Sequence, residues 1–209
     1  MRPSYLALLP FLSLVLGQDT NTSTVQDAFE AANIPEDLGI NFNPQALLEV
    51  SFTEPDDSVI TLHAGVQLPR NATAGPPTFG VMGDIGEGPF VIAVVDPDAP
   101  TPQNASSAQI RHFLGGNFTD VGDTLRNDTP AISEFLQPSP PAGSDAHRYV
   151  FLLFRQSEEF ANQTEVNSTT SISNFNISMF AADTNLGDPI AGTFMLVAPD
   201  NDTMTDPTA

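Results

Sequence analysis

Acidic and imidazole side chains of this sequence stand where they can form a binding or acid–base site. Asp96 and Asp98 flank a proline directly after the apolar run 90–95. Two of the chain's three histidines, His112 and His147, lie at the edges of later apolar runs. Imidazole exchanges protons near neutral pH, so such groups at strand ends are typical of binding pockets and of acid–base sites.

The second histidine lies in a segment whose side chains should alternate between two faces. If 147–155 is a strand, His147 and Tyr149 point to one face and Arg148 points to the other. We therefore expect His147 and Tyr149 to contribute to the site. We expect Arg148 to pair with an acid outside it.

The same alternation assigns His112 to one face of its predicted strand. His112 and Leu114 should share one face of a strand, opposite Arg111 and Phe113. We expect His112 to converge with the histidine and tyrosine of the second segment. The two arginines would then serve another purpose.

Asp96 and Asp98 have two interpretations that the residues alone leave open. Aspartate caps turns routinely, and a proline-containing turn after an apolar strand is a common place for it. A proline-stiffened loop also holds a carboxylate rigidly beside a histidine, where it raises the pKa of the imidazole. In the second interpretation, one X-Pro bond here is cis.

The elements that position these residues are predicted to be mostly β. Eight apolar or alternating runs are separated by clusters of Gly, Pro, Asn and Asp. This pattern predicts a β-sandwich, and continuous apolar runs such as 150–154 predict central strands that are covered on both faces. The predicted strands are 47–52, 59–63, 79–82, 90–96, 110–118, 149–155, 172–180 and 193–197.

One N-terminal helix and three long loops complete the prediction. Thr24 followed by Asp27 is typical of a helix start, and helical spacing continues to about Asn33, before Pro35 ends the helix. A linker over 35–44 follows. The long loops cover 64–78, 97–109 and 119–146, with one predicted helical turn at 132–136.

The first 17 residues have the pattern of a cleaved secretory signal. Arg2 precedes an apolar run, 6–16, that is too short to span a bilayer, and Gly17 supplies the small residue for cleavage. A buried first helix is the alternative. The predicted organisation is a signal peptide over 1–17, an N-terminal helix and linker over 18–44, one β domain over 45–198 and a disordered acidic tail over 199–209.

Charge and composition exclude several classes of partner and site. The chain has 26 acidic residues, six basic residues that are all arginine, and no cysteine. Nucleic acids and anionic membranes attract basic surfaces, so neither is an expected partner. A Walker-type phosphate loop is excluded because it needs a lysine, and a disulfide framework is excluded because it needs cysteine. After the predicted signal, no second apolar segment is long enough to span a membrane. No tight histidine spacing indicates a metal site, and no cofactor is expected.

The sequence also predicts a glycoprotein that is secreted or retained in the secretory pathway or vacuole lumen. Behind the predicted signal stand nine N-x-S/T sequons. Two of them lie within or beside apolar runs that we expect to be buried, at Asn117 and Asn176. The sequons begin at Asn21, Asn71, Asn104, Asn117, Asn127, Asn162, Asn167, Asn176 and Asn201.

The chemistry-bearing segments together resemble those of the phosphatidylethanolamine-binding proteins. The similarity in order and spacing covers roughly 45–198, and the DPDAP and HRYV segments are its most specific parts. The stretch 42–52 is similar to the fungal branch of that family. The matching segments are 96–100, 111–113, 140–143, 147–151 and 189–193.

The resemblance implies both a fold and a site. The fold would be an antiparallel β-sandwich with a large central sheet, a smaller sheet and few short helices. The site would be one small pocket that accepts anionic groups such as phosphate or acetate. Carried over by position, the residues lining the pocket would be Asp96, His112, His147 and Tyr149, with Ala99 and Pro100 as its wall and Asp98 nearby.

This chain departs from the family pattern near the expected pocket. The glycine-rich approach to the HRY segment is replaced by 137–141, and Asp145 stands where glycine is common. Ile110 stands where an aromatic residue is frequent, and the sequence ends before a helix that covers the pocket mouth in many members. We therefore expect a differently shaped and more open pocket.

Three functions are compatible with these residues. The first is binding of a small anionic molecule or head group. The second is a catalytic role in fungal secondary metabolism, such as the coupling of maleic anhydride monomers in maleidride formation, in which Asp96, His112, His147 and Tyr149 would act beside other biosynthetic enzymes. The third is inhibition of a serine carboxypeptidase, since some fungal relatives resemble carboxypeptidase inhibitors. A serine hydrolase of the G-x-S-x-G type is not indicated, because that motif is absent.

Overall fold

Nine strands form one curled sheet in the computed structural model, which describes residues 18–200. The predicted signal peptide lies outside the described residues, as does the tail after Asp200. In chain order the strands are β1 (Leu47–Thr53), β2 (Val59–Thr61), β3 (Val66–Leu68), β4 (Thr78–Met82), β5 (Phe90–Asp96), β6 (Ile110–Asp120), β7 (Thr124–Arg126), β8 (His147–Arg155) and β9 (Ala191–Val197). Across the sheet the order is β2-β1-β4-β7-β6-β5-β8-β9-β3, and each pair of neighbouring strands except β3 with β9 is antiparallel.

The described residues also form four short α-helices and one 3-10 turn. The predicted N-terminal helix is confirmed, but it begins earlier than Thr24 because the Asn21 side chain caps it by accepting a hydrogen bond from the Ser23 amide. The region predicted as a linker contains a second helix, with Pro35 in its first turn. The helices are α1 (Thr22–Ala31), α2 (Ile34–Leu38), α3 (Glu158–Asn162) and α4 (Ile177–Asp183), and the 3-10 turn is Arg70–Thr73.

Strand β6 explains why one sheet is present where a large and a separate smaller sheet were expected. Most of its eleven residues pair with β5, and its last two, Thr119 and Asp120, pair with β7. Through β7 the sheet continues into β4, β1 and β2. The prediction of a mostly β fold with few helices is therefore confirmed, whereas the described residues form a single curled sheet instead of two.

The central strands β5 and β8 are covered on both faces, as their continuous apolar runs predicted. All seven residues of β5 are buried. Side chains such as Ile92 and Phe151 pack into an inner core that also receives β1, β4 and β9. Side chains such as Val91 and Leu152 point the other way and pack under α1 and α4 in an outer core. Burial on both faces fixes the rotation of these strands, and so the face to which each of their side chains points.

The strand predicted over 172–180 is wrong, because α4 begins within it. The Asn176 side chain accepts a hydrogen bond from the Met179 amide and so caps the helix. Ile177, Phe180 and Ala181 are then buried at helical spacing. Apolar alternation in so short a segment does not separate a strand from the first turn of a helix.

Two other local predictions differ from the structure. The helical turn expected at 132–136 is an extended segment, in which Ser133 forms an isolated bridge with Leu114. Strands β3 and β7 lie in regions predicted as long loops. Each has only three residues, so neither is long enough to show a pattern of alternation.

Candidate functional site

Asp96 and His147 meet where the end of β5 adjoins the start of β8. These strands are antiparallel and pair Val95 with Val150, so the last residue of one lies beside the first residues of the other. The His147 Nδ1 atom is 2.9 Å from the Asp96 Oδ2 atom, and both side chains are buried. The other carboxylate oxygen of Asp96 accepts a hydrogen bond of 2.7 Å from the Asp98 amide. The carboxylate thus both shapes the turn and orients His147.

The second ring nitrogen of His147 contacts a residue that the sequence did not single out. Its Nε2 atom is 2.9 Å from Ser144 Oγ. The same hydroxyl is 2.9 Å from the carbonyl oxygen of Asp145. Ser144 stands only three residues before His147, but in the sequence it is one serine among many in a loop, and no local signal distinguishes it.

Tyr149 lies between the two histidines. Its ring centroid is 4.9 Å from that of His112, edge to face, and 6.4 Å from that of His147, roughly parallel. The expected convergence of His112, His147 and Tyr149 is therefore present in the structure. We call Asp96 together with these three residues the imidazole cluster.

A β-bulge, and not simple alternation, brings His112 to Tyr149. The register between β5 and β6 shifts at this point, so that Val94 pairs with Phe113 but Val95 pairs with Arg111, which leaves His112 unpaired. Leu114 packs in the outer core, whereas Tyr149 belongs to the inner one. The prediction that His112 and Leu114 share a face is wrong.

His112 is held by the segment that covers the cluster. Its Nδ1 atom is 2.8 Å from the Leu136 carbonyl, so Nδ1 carries the proton, because a carbonyl oxygen only accepts. Among the described residues, none forms a hydrogen bond with Nε2. Burial lowers the pKa of His112, and the charge of His147 lowers it further, against the opposing effects of the Leu136 carbonyl and Asp96. Asp96 thus raises the pKa of His112 as expected, but desolvation is the larger effect and the pKa is lowered overall.

Tyr149 is fixed as a neutral hydroxyl. Burial raises the pKa of its phenol far above the ordinary value, and the charge of Asp96 raises it further, while the backbone of Ser139 acts in the opposite direction. Tyr149 is therefore available as a hydrogen-bond donor over the whole physiological range of pH.

Asp98 binds an arginine, whereas Asp96 binds a histidine. Arg148 donates to both of its carboxylate oxygens, from Nε to Oδ2 at 2.9 Å and from a terminal nitrogen to Oδ1 at 2.6 Å. Arg148 also reaches Asp37, a residue of α2, at 2.7 Å on the outer face. Pairing of Arg148 with an acid on the face opposite the histidines was predicted. Because Arg148 binds both carboxylate oxygens of Asp98, this acid pairs with the arginine and not with the histidines. Of the two expected wall residues, Ala99 is buried and Pro100 is exposed, and the peptide bond between them is cis.

The imidazole cluster is closed in this structure. Each of its four side chains belongs to a residue that is less than 5% exposed. Residues 136–140, which we call the cover segment, include buried Pro138 and Pro140 and are tied to Arg70 by a bond of 3.0 Å from Nε to the Pro138 carbonyl. The pocket was expected to be more open, but in this structure the cover segment buries it.

The cavities nearest the cluster lie beside it. One, of about 490 Å³, is lined by 142–146, Gln67 and 198–200, and it reaches the cluster through Ser144. Another, of about 540 Å³, is lined by Arg70 and adjoins the cover segment. Within residues 18–200, no cluster of three or more histidine, cysteine or acidic side chains is arranged to hold a metal ion. No helix of that range has both the length and the apolar content for crossing a membrane.

Comparison with known proteins identifies similar sequences and structures. The model of the family described as phosphatidylethanolamine-binding protein matches residues 51–195. Protein FLOWERING LOCUS T of Arabidopsis thaliana is 30% identical over 174 residues, which cover 81% of this chain and 90% of that protein. CEN-like protein 4 of Nicotiana tabacum is 29% identical over 154 residues, which cover 73% of this chain and 81% of that protein.

Two solved structures share the fold. A carboxypeptidase Y inhibitor, crystallised with its cognate proteinase, superposes with a TM-score of 0.69 at 20% identity, covering 85% of this chain and 96% of the inhibitor. A phosphatidylethanolamine-binding protein from Plasmodium vivax superposes with a TM-score of 0.63 at 15% identity, covering 83% of this chain and 96% of that protein. The curled sheet around the imidazole cluster is therefore a fold that these proteins have in common.

Proposed function

Because this chain belongs to the phosphatidylethanolamine-binding protein family, we propose that it binds the phosphate or carboxylate group of a small anionic molecule or head group at the imidazole cluster. The observation that carries the proposal is the convergence of His112, His147 and Tyr149 on one face of the sheet. Two imidazoles and a phenol supply the N–H and O–H donors that an oxyanion needs.

Each residue of the cluster has a distinct role in this proposal. Tyr149 donates its hydroxyl, because the raised pKa of its phenol keeps it protonated. His112 donates from Nε2 once it is protonated, while its Nδ1 stays bonded to Leu136. Asp96 orients His147 and balances its charge. The cover segment must move aside for the anion to enter, since the four side chains are buried.

The binding proposal is tested by titration with inorganic phosphate, phosphoethanolamine and acetate, followed by nuclear magnetic resonance. We expect the imidazole signals of His112 and His147 to shift, and the affinity to increase as the pH falls. Tyr149→Phe should weaken phosphate binding about tenfold, since one hydrogen bond to a charged group contributes about 1.5 kcal/mol. His63→Ala is the matched control, because it removes the histidine outside the cluster. Unchanged phosphate affinity in His112→Ala and Tyr149→Phe would overturn the proposal.

Inhibition of a serine carboxypeptidase is the second candidate function. Its support is the likeness in fold to the carboxypeptidase Y inhibitor, at a TM-score of 0.69. Inhibition requires a protein-sized surface outside the buried imidazole cluster. The purified chain should slow a serine carboxypeptidase, and His112→Ala should inhibit as well as the wild type. Absence of inhibition at micromolar concentrations would remove this candidate.

A catalytic role in fungal secondary metabolism would use the same cluster. In support of it, burial lowers the pKa of His112, so this imidazole is uncharged at neutral pH and its Nε2 is free to accept a proton. Coupling of maleic anhydride monomers would need such a base, with Tyr149 donating to the developing enolate. Deletion of the gene tests this role, because an unchanged metabolite profile would exclude it.

We also propose that the chain enters the secretory pathway and carries N-glycans, with cleavage after Gly17. Of the eight described sequon asparagines, seven are exposed, including Asn117 and Asn176, which the sequence had placed near buried runs. Asn127 is half-buried, and its amide nitrogen donates to the carbonyls of Gly116 and Thr129. We therefore expect Asn127 to carry the least glycan. N-terminal sequencing and glycopeptide mass spectrometry of the protein from its source test both points.

A further inference from the structure

Ser144, His147 and Asp96 form a linear chain of hydrogen bonds at the edge of the imidazole cluster. Ser144 Oγ is 2.9 Å from His147 Nε2, and His147 Nδ1 is 2.9 Å from Asp96 Oδ2. This is the connectivity by which a buried carboxylate and an imidazole activate a serine, and it recurs in unrelated folds whatever the order of the residues in the chain. We propose that Ser144 is a nucleophile for acyl transfer from small uncharged esters, with His147 as its general base.

The direction of the protons in this chain depends on the charge of His147. When His147 is neutral, Nδ1 donates to Asp96, so Nε2 is free to accept the hydroxyl proton of Ser144. When His147 is protonated, Nε2 donates to Ser144, whose own proton then points to the Asp145 carbonyl. Only the first arrangement activates the serine, so the proposed reaction needs the neutral imidazole.

Ser144 is accessible to a substrate although His147 and Asp96 are buried. It is half-buried and lines the cavity of about 490 Å³ beside the cluster. The backbone amide of Asp145, the residue that follows the serine, donates to no acceptor among the described residues. An amide in that position is available to donate to the oxyanion of a tetrahedral intermediate.

The cavity lining determines the class of ester. Its side chains are mostly small, from Ala142, Ala146 and Ala198, and its charged groups are the carboxylates of Asp145 and Asp200. Asp200 is paired with Arg70 at 2.7 Å, so Asp145 supplies the negative charge that repels an anionic acyl group. The substrate is therefore a short, uncharged acyl ester.

The reaction balances without a cofactor. Ser144 Oγ forms a bond to the carbonyl carbon while its proton passes to His147 Nε2, and the ester C–O bond then breaks. The alcohol leaves with the proton from His147, and an acyl-serine remains. Water attacks the acyl-serine, His147 again takes the proton and returns it to Ser144 Oγ, and the carboxylic acid is released.

The experiment combines covalent labelling with turnover of a model ester. An alkyl fluorophosphonate should label Ser144, displacing fluoride, and mass spectrometry of peptides locates the adduct. Hydrolysis of p-nitrophenyl acetate should exceed that of mono-p-nitrophenyl succinate, whose acyl group is anionic. Ser144→Ala and His147→Gln should lose the label and lower the rate about 100-fold or more. Ser58→Ala is the matched control, since its hydroxyl contacts the carboxylate of Asp56, at 2.6 Å.

The outcomes separate this proposal from anion binding. Ser144→Ala leaves both imidazoles and the phenol in place, so it should retain phosphate binding while the label is lost. An unlabelled Ser144 in a wild-type protein that binds phosphate would overturn acyl transfer and leave anion binding intact. Equal labelling of Ser144 in His147→Gln would also overturn the proposal, because the serine would then be reacting without its base. Circular dichroism of each variant confirms that it is folded.

Discussion

Asp96 and His147 are joined by a hydrogen bond of 2.9 Å between Oδ2 and Nδ1, across the ends of the two central strands. The same carboxylate accepts the amide of Asp98 and so also shapes the turn that follows β5. The two interpretations that the sequence left open for this acid are therefore not exclusive. One side chain caps the turn and orients the imidazole of the site.

Replacement of Asp96 should destabilise the fold as well as alter the site. Asp96→Ala leaves the buried Nδ1 of His147 and the amide of Asp98 without their acceptor, so we expect the free energy of unfolding to fall by about 3 kcal/mol. Urea denaturation measures this change. Glu30→Ala, at an exposed position of α1, is the control and should change stability by less than about 0.5 kcal/mol. Equal effects of the two substitutions would contradict the structural role of Asp96.

The two acids that contact Arg148 should contribute unequally to stability. Asp98 is buried and bonded to the guanidinium through both oxygens, whereas Asp37 is partly exposed and makes one contact. Asp98→Ala should cost about 3 kcal/mol, because it leaves Arg148 without its buried partner. Asp37→Ala should cost less than about 1 kcal/mol, as is typical of solvent-screened pairs. Thermal and urea denaturation of both variants should show this order, and the reverse order would be inconsistent with the geometry.

Protonation of His112 should lower the free energy of unfolding at acidic pH. Burial holds the pKa of His112 below 6.5, its ordinary value, so the unfolded chain takes up a proton at a pH where the folded chain does not. The free energy of unfolding should therefore decrease as the pH falls below about 6.5, and this contribution should level off once the folded protein is also protonated.

A substitution isolates the contribution of His112 to that pH dependence. His112→Gln should reduce the loss of stability between about pH 6.5 and pH 5, whereas His63→Gln should retain it. The measurements require buffers without phosphate or acetate, because a bound anion would stabilise the protonated imidazole. Identical pH profiles for the wild type and His112→Gln would show that desolvation of this ring does not contribute.

A side chain at Gly116 should destabilise the fold. A Cβ atom at this position in β6 would collide with Phe160 Cε1 and lie 2.7 Å from the side-chain oxygen of Gln156. Gly116→Ala should lower the free energy of unfolding by about 1–3 kcal/mol through overpacking. Gly75→Ala is the matched control, because nothing lies within 4 Å of the added atom. A melting temperature that is the same in both variants would contradict the packing of α3 against β6.

The sequence alone indicated the central strands and most of the groups of the site. The apolar runs that become β5 and β8 are continuous, so burial on both faces could be predicted from local composition. Alternation within β8 correctly separated His147 and Tyr149 from Arg148. The acidic turn after β5 was also visible, although its double role was not.

Tertiary structure decided how these groups meet. His112 joins the cluster through a bulge, which depends on the register between two whole strands and not on the residues around the histidine. The cover segment closes the cluster because it is bonded to Arg70 and His112, which are distant from each other in the chain. Ser144 reaches His147 only through the path of its loop. Local sequence determines side-chain chemistry and periodicity. Which groups share a face and which are covered is determined by long-range strand pairing, and that pairing depends on the packing of the entire chain.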